Sequence, residues 1–215
     1  MSIGIIFDFD GTIIDSEANL YRVINRNLEA EGHGAIEISY YKSSIGTDSK
    51  ELDEYILSRI GKEGLESVME EHLRTCLDLE CNDHITKLIT FCEQESIPMA
   101  VATSSYRKHI EPMLKNLGLY DKFVAIRGRE DVEQVKPDPA LYQLATEDLN
   151  IAPENIFAIE DTVNGALAAE GAGLNIIVLT SDITNDMDFN NINYYAKDIS
   201  YEEIIEILNT ETKAN

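Results

Sequence analysis

The first apolar run, Ile3-Gly4-Ile5-Ile6-Phe7, is short, rich in isoleucine and unbroken by polar positions until it stops at Asp8-Phe9-Asp10-Gly11-Thr12. A strand buried on both faces of a parallel sheet reads this way, and the polar stop puts two carboxylates at its C-terminal end. From Ser16 to about Ala30 the period changes. Leu20, Val23, Ile24 and Leu28 fall at three- and four-residue spacing with polar residues between, which predicts an amphipathic helix ended by Gly32 and Gly34. Two further helical stretches are expected over residues 50–60 and 63–76. Residues 16–79 thus read as all-helical and acidic, with no convincing strand.

Beyond Asn82-Asp83 the texture alternates. Helices are expected at 84–94, 106–117, 138–149, 163–169 and 201–208, and strands at 98–102, 123–127, 156–159 and 175–179. In the third of these helices Asp138 reads as the N-cap and Pro139 as a first-turn residue. Strands alternating with helices imply parallel β-α-β units. The economical architecture is α/β: a doubly wound, Rossmann-like parallel core built from residues 1–15 and 80–215, with a helical cap, 16–79, inserted after the first strand. In such sheets ligands bind beyond the carboxyl ends of the strands.

Composition narrows the functional classes. The 215 residues carry 17 Lys+Arg against 40 Asp+Glu, a formal charge of −23. So acidic a chain is not expected to bind nucleic acid or an anionic membrane surface. At 44% hydrophobic residues it can bury a core. The longest aliphatic run, Ile176-Ile177-Val178-Leu179, falls far below the ~18 residues of a membrane helix. Met1-Ser2-Ile3 lacks the basic start of a signal peptide, so a soluble, cytoplasmic protein is expected. Cys76, Cys81 and Cys92 are an odd set without CxxC spacing and read as reduced packing thiols. His33, His72, His84 and His109 are scattered and read as surface or partly buried residues. The sequence carries no signature of an oligomeric state.

The chemistry lies at the strand ends. Asp8 and Asp10 follow the first strand, Thr103-Ser104-Ser105 the second, and Glu160-Asp161 a later one; in a parallel sheet these ends share one edge. Each acidic pair alone would pass for a solvated loop, and their shared position is the signal. Carboxylates converging there repel by ~4 kcal/mol per pair at 4 Å and an effective dielectric of 20, so a cation is called for. Oxygen ligands select a hard ion, most plausibly Mg²⁺. Thr103 and Ser104, where strand passes into helix, could hold an anion with hydroxyl and backbone N–H groups, and Lys136 supplies the positive charge a phosphate requires. There is no G-x-x-x-x-G-K-[ST] loop, and Gly171-Ala172-Gly173 lacks the third glycine of a dinucleotide fingerprint.

Taken together, Asp8-Phe9-Asp10-Gly11-Thr12, Val101-Ala102-Thr103-Ser104, Lys136-Pro137 and Glu160-Asp161 resemble, in order, the four motifs of the haloacid dehalogenase superfamily, in its phosphatase branch with a helical cap. Asp15-Ser16-Glu17 is similar to the sugar-phosphate phosphatases and β-phosphoglucomutases of that family. The resemblance implies Asp8 as nucleophile, forming an aspartyl-phosphate, and Asp10 as the general acid and base. It implies Mg²⁺ held by the side chains of Asp8 and Asp161 and the main-chain carbonyl of Asp10, with Glu160 either touching the metal or orienting its waters. Thr103, Ser104 and Lys136 would bind the phosphate. The founding dehalogenases lack the second acid, so Asp10 argues for phosphoryl transfer. In the cap, the loop Ser43-Ser44-Ile45-Gly46-Thr47-Asp48 would set specificity, chiefly through Gly46, Thr47 and Asp48. The expected activity is a Mg²⁺-dependent phosphatase of a small phosphorylated metabolite. The alternatives are a β-phosphoglucomutase-type mutase, disfavoured because the loop and the first cap helix lack the expected cations and histidine, and a non-enzymatic acidic binding protein of the same fold.

Overall fold

The strands of the core are short, two to five residues each. In the computed structural model, which describes residues 2–45 and 50–214, the strands are β1 (Gly4–Phe7), β2 (Met99–Ala102), β3 (Ala125–Arg127), β4 (Ile156–Glu160), β5 (Asn175–Val178) and β6 (Ala196–Lys197). They form one sheet in the order β3-β2-β1-β4-β5-β6, with every neighbouring pair parallel. Sequence periodicity anticipates the first five. The two-residue β6 is too short to leave a pattern.

The two-residue alternation of a strand sorts its side chains to opposite faces. Ile5 and Phe7, with Met99, Val101, Phe157, Ile159 and Ile177, face one way and pack against α4 (Asp83–Gln94), α5 (Arg107–Asn116) and α8 (Tyr201–Ala214). Ile6, with Ala100, Ala102, Ala158, Ile176 and Val178, faces the other way, against α6 (Ala140–Leu149) and α7 (Val163–Gly171). Both faces are covered, which explains why β1 reads as a continuous apolar run. Each such Ile or Phe contributes about 1.5–3 kcal/mol by burial.

Between β1 and β2 the chain makes α1 (Ser16–Ala30), α2 (Ile38–Ser43) and α3 (Lys50–Cys76). These helices bury a cluster of their own that includes Val23, Ile24, Leu28, Tyr41, Leu52, Ile56 and Val68. The Asp15 side chain caps α1 by accepting from Ala18 N at 3.3 Å. The two stretches expected at 50–60 and 63–76 join as α3 through a break at Gly61, whose φ of 70° favours a residue without Cβ. α2 was not expected; six residues offer too few turns for a helical period to show. The chain leaves the core and re-enters it side by side, with Asn82 N donating to Ile13 O at 2.9 Å.

One helix start differs from expectation. α6 begins at Ala140 with Pro139, already in the αR region, at the cap position. Asp138 accepts from Ala140 N at 3.0 Å from one position earlier, so the capping chemistry is kept and only the register moves. From β1 the chain passes to β2 on one side and later to β4 on the other. The switch opens a crevice beyond the carboxyl ends of β1 and β4. Among the described residues no helix is long and apolar enough to cross a membrane.

Candidate active site

Asp8 follows β1 directly, and its N–H continues the ladder to Ile159 O at 2.9 Å. Glu160 ends β4 and Asp161 follows it, so parallel pairing of β1 with β4 brings the three acids together. Asp8, Glu160 and Asp161 are buried, each with one carboxylate oxygen within 4.8 Å of the others. Gly11 makes the approach possible. Its φ is 84°, and a Cβ there would lie 2.3 Å from Asp161 Oδ2.

Lys136, expected as the positive charge, is 2% exposed. Its ammonium pairs with Asp8 Oδ1 and with Glu160 Oε1, the latter at 2.6 Å. Glu160 is used on both oxygens. Oε1 also accepts from Tyr142 OH at 2.7 Å, while Oε2 accepts from Asp161 N at 3.2 Å, Thr162 N at 3.3 Å and Thr162 Oγ1 at 3.2 Å. Burial pushes the Asp8 carboxyl well above the usual carboxylate range, opposed by Lys136 and reinforced by Glu160 and Asp10. Burial does the same to Asp161, with the Asp8 and Glu160 charges adding to it. At Lys136 burial works against the ammonium, but the Asp8 and Glu160 carboxylates overcome it and raise its pKa. One ammonium does not balance three carboxylates. The oxygen-only donor set suits a hard divalent cation, with Asp8 and Asp161 as the side chains best able to hold it.

Asp10 stands outside this triplet. Its Oδ1 accepts from Ser16 Oγ at 2.7 Å, and its Oδ2 from Ser105 Oγ at 2.7 Å and Thr103 Oγ1 at 3.3 Å. Thr103 is therefore committed to Asp10 and also accepts from Ser105 N at 3.0 Å. Ser104 is different, for its hydroxyl is buried and has no protein partner. A buried orphan hydroxyl is costly unless a ligand takes it up.

Asp8, Asp10, Ser104 and Lys136 open onto a cavity of about 360 Å³, walled on the helical side by Glu17, Tyr41, Asp53 and His72 and on the core side by His109 and Arg129. Two of the four histidines thus meet at one site, both of them partly buried as expected. His72 lies on α3 and His109 on α5, so no local spacing relates them. Burial pulls both imidazoles below their ordinary pKa, against the pull of Asp10. Glu17, by contrast, is pushed up to about 7 by burial and the Asp10 charge, although Tyr41 OH donates to it at 2.8 Å. Cys76 and Cys92 are buried packing thiols, pushed up to about 12 by that burial, and all three cysteines are free. Gly46, Thr47 and Asp48, expected as the specificity loop, lie outside the described residues.

A family model for haloacid dehalogenase-like hydrolases matches residues 5–179, from β1 through β5. The chain belongs to that family. Among relatives of this haloacid dehalogenase-like hydrolase, the "Putative phosphatase YhcW" of Bacillus subtilis is 30% identical over 210 residues, covering 95% of each chain. The "Phosphorylated carbohydrates phosphatase" of Thermotoga maritima is 29% identical over 188 residues, 85% of this chain and 87% of that one. Crystalline CbbY from Rhodobacter sphaeroides, in complex with phosphate, superposes with a TM-score of 0.79 at 26% identity over 95% of this chain and 96% of its own. Phosphatases recur among the relatives, and this hydrolase is a phosphatase. Its sequence gave no sign of Tyr142, which holds Glu160 from α6, nor of the cavity walls Tyr41 and Arg129.

Proposed function

We propose that this phosphatase is a Mg²⁺-dependent phosphomonoesterase acting on a small sugar phosphate through an aspartyl-phosphate on Asp8, with residues 16–79 as a cap over a core of 1–15 and 80–215. The observation that carries the reading is the buried triplet of Asp8, Glu160 and Asp161 around Lys136, opening on a cavity with the orphan Ser104 hydroxyl. The side chains of Asp8 and Asp161 and the main-chain carbonyl of Asp10 would hold the ion. When bound, it supplies the positive charge that lets an anionic nucleophile approach an anionic phosphoryl group. Lys136 adds to that charge and holds Asp8 in place. Ser104 donates its hydroxyl to a phosphate oxygen, and Thr103 orients Asp10. Glu160, whose oxygens are saturated by five donors, positions Lys136 and the Asp161 loop rather than ligating.

A carboxylate oxygen of Asp8 forms a bond to phosphorus as the ester P–O bond breaks, and Asp10 gives its proton to the departing alkoxide. Asp10, now ionised, takes a proton from the water that cleaves the aspartyl-phosphate and returns both residues to their starting state. The cavity supports a polyhydroxy monophosphate. Away from the phosphate end it offers two imidazoles whose pKa burial lowers, the Tyr41 hydroxyl and the carboxyls of Glu17 and Asp53. Among the described residues Arg129 is its one cation besides Lys136. Two carboxyls there disfavour a second phosphate, which a phosphomutase must accommodate.

A panel of phosphorylated sugars, nucleotides and glycolytic acids tests the reading by phosphate release. Turnover should need Mg²⁺, cease with a chelator, and fall below about a hundredth in Asp8→Asn, since acid–base roles alone are worth roughly 10²–10⁴-fold. Activity without a divalent ion would sink the metal assignment. Glucose 6-phosphate formed from β-glucose 1-phosphate faster than phosphate is released would favour the mutase. A protein that binds no metal and turns over nothing would be the binding module.

A further inference from the structure

The turn after β5 reaches two distant parts of the molecule at once. Thr184 is fully buried, and its hydroxyl donates to Asp161 Oδ2 at 3.4 Å. The same oxygen accepts from Ser181 N at 2.9 Å and lies 3.1 Å from Ser181 Oγ. A hydroxyl has one proton and two lone pairs. Asp161 accepts the one Thr184 proton, which leaves the lone pairs of that oxygen for the Ser181 N–H and hydroxyl. On the other side, Asp161 Oδ1 accepts from Thr12 Oγ1, also at 3.4 Å. The carboxylate is therefore held between two threonine hydroxyls, one from the loop after β1 and one from this turn.

The residue beside Thr184 points elsewhere. Ile183 is 8% exposed and belongs to the apolar cluster of the inserted helices, with Tyr41, Ile45 and Leu52. Met187 packs against that cluster and against the α6/α7 face of the core. Asp186 pairs with Lys42 of α2 at 2.5 Å. Adjacent residues of one turn thus hold the helical insert and the Asp161 carboxylate.

We propose that the turn 181–187 couples seating of the helical insert on the core to the aim of the Asp161 carboxylate, with Thr184 as the positioning residue. The proposal rests on the reading of Asp161 as a metal ligand. With the insert seated, Ile183 anchors the turn and Thr184 fixes Asp161. With the insert lifted, Ile183 loses its apolar partners, the turn loses its anchor, and the carboxylate loses a donor. Metal affinity and closure are then linked, and the linkage runs in both directions.

The test is calorimetric titration of Mn²⁺ into the whole protein without substrate. Thr184→Val keeps the branched shape and removes the proton; its affinity should fall by about tenfold, as for loss of an outer partner of a metal ligand, while Thr184→Ser stays within roughly twofold. Ile183→Ala, an apolar truncation, should also weaken binding several-fold. Metal-free melts confirm folding, and Thr184→Ala replaces the valine variant if that melts early. Normal affinity in Thr184→Val, or in the alanine variant that replaces it, overturns the positioning role, and normal affinity in Ile183→Ala overturns the coupling to the insert. Asp161→Asn is run alongside. If it binds Mn²⁺ normally, the metal reading fails and this proposal with it; if it alone loses binding, only this proposal fails.

Discussion

Removing the charge at Glu17 should stabilise the protein above neutral pH and leave it unchanged in acid. The side chain sits in the first turn of α1 on the cavity wall, with Tyr41 OH donating to Glu17 Oε2 at 2.8 Å and to its main-chain oxygen at 2.7 Å. Burial, then the Asp10 charge, pushes its carboxyl from 4.5 to about 7. Between those values the folded protein keeps a proton that the unfolded chain has released. The group's contribution to stability is therefore complete below about 4.5 and is lost as the pH rises through about 7. At ~1.36 kcal/mol per tenfold change the full move is worth about 3 kcal/mol, and water reaching this half-buried side chain through the cavity reduces it to about 1–2 kcal/mol. Glu17→Gln removes the ionisation and keeps an oxygen for Tyr41. At pH 8 the variant should melt roughly 2–8 °C above the parent, given about 2–4 °C per kcal/mol for a chain of this size. At pH 4 the two should coincide. Melts by circular dichroism in chelator, at both pH values, give the difference free of the metal site and of acids common to both proteins. A gap of the same size at both pH values, or a parent that is the more stable at pH 8, would refute the reasoning.

Lys136→Met should cost about 3–5 kcal/mol in denaturant titrations, since it strands Asp8 and Glu160 in the interior, and a loss below about 1 kcal/mol would count against the buried pair as described. Gly165→Ala places a Cβ 1.9 Å from Glu160 Oε1 and should displace that carboxylate, lowering activity and costing about 1–3 kcal/mol; an active, fully stable variant would contradict the packing. Asp10→Asn should slow an alkyl phosphate more than an aryl phosphate, whose leaving group needs little protonation, and equal losses would argue against the acid role when that step limits the rate.

The acids of the site were legible because each motif ends a strand, and strands reveal themselves by apolar runs. Knowing that Phe7 pairs with Ile159 across neighbouring strands is enough to place Asp8 beside Glu160-Asp161. The insert was legible as helices through its three- and four-residue spacing, down to the interruption near Gly61. The lining of the cavity was not. His72 and His109 sit on different helices, and Tyr41 on a helix too short to leave a period; their meeting is decided by how α2, α3 and α5 pack, which no local pattern encodes. Lys136 could have been a surface lysine until its burial was seen, and Thr184 lies in a turn whose polar sequence is that of an ordinary loop.

The strand order has a consequence for how the chain is made. Of the six strands β1 leaves the ribosome before the others, yet its two neighbours in the sheet are β2, some ninety residues later, and β4, about a hundred and fifty residues later. The inserted helices, whose contacts are local, are synthesised in between and can form their own cluster while β1 waits. A nascent chain that stops short of residue 156 leaves one edge of β1 open, and that edge belongs to the most apolar segment of the N-terminal region. Asp8 and Asp161 can then meet only once β4 has been made. The carboxylates that would repel one another are kept apart until Lys136, already synthesised, is there to receive them.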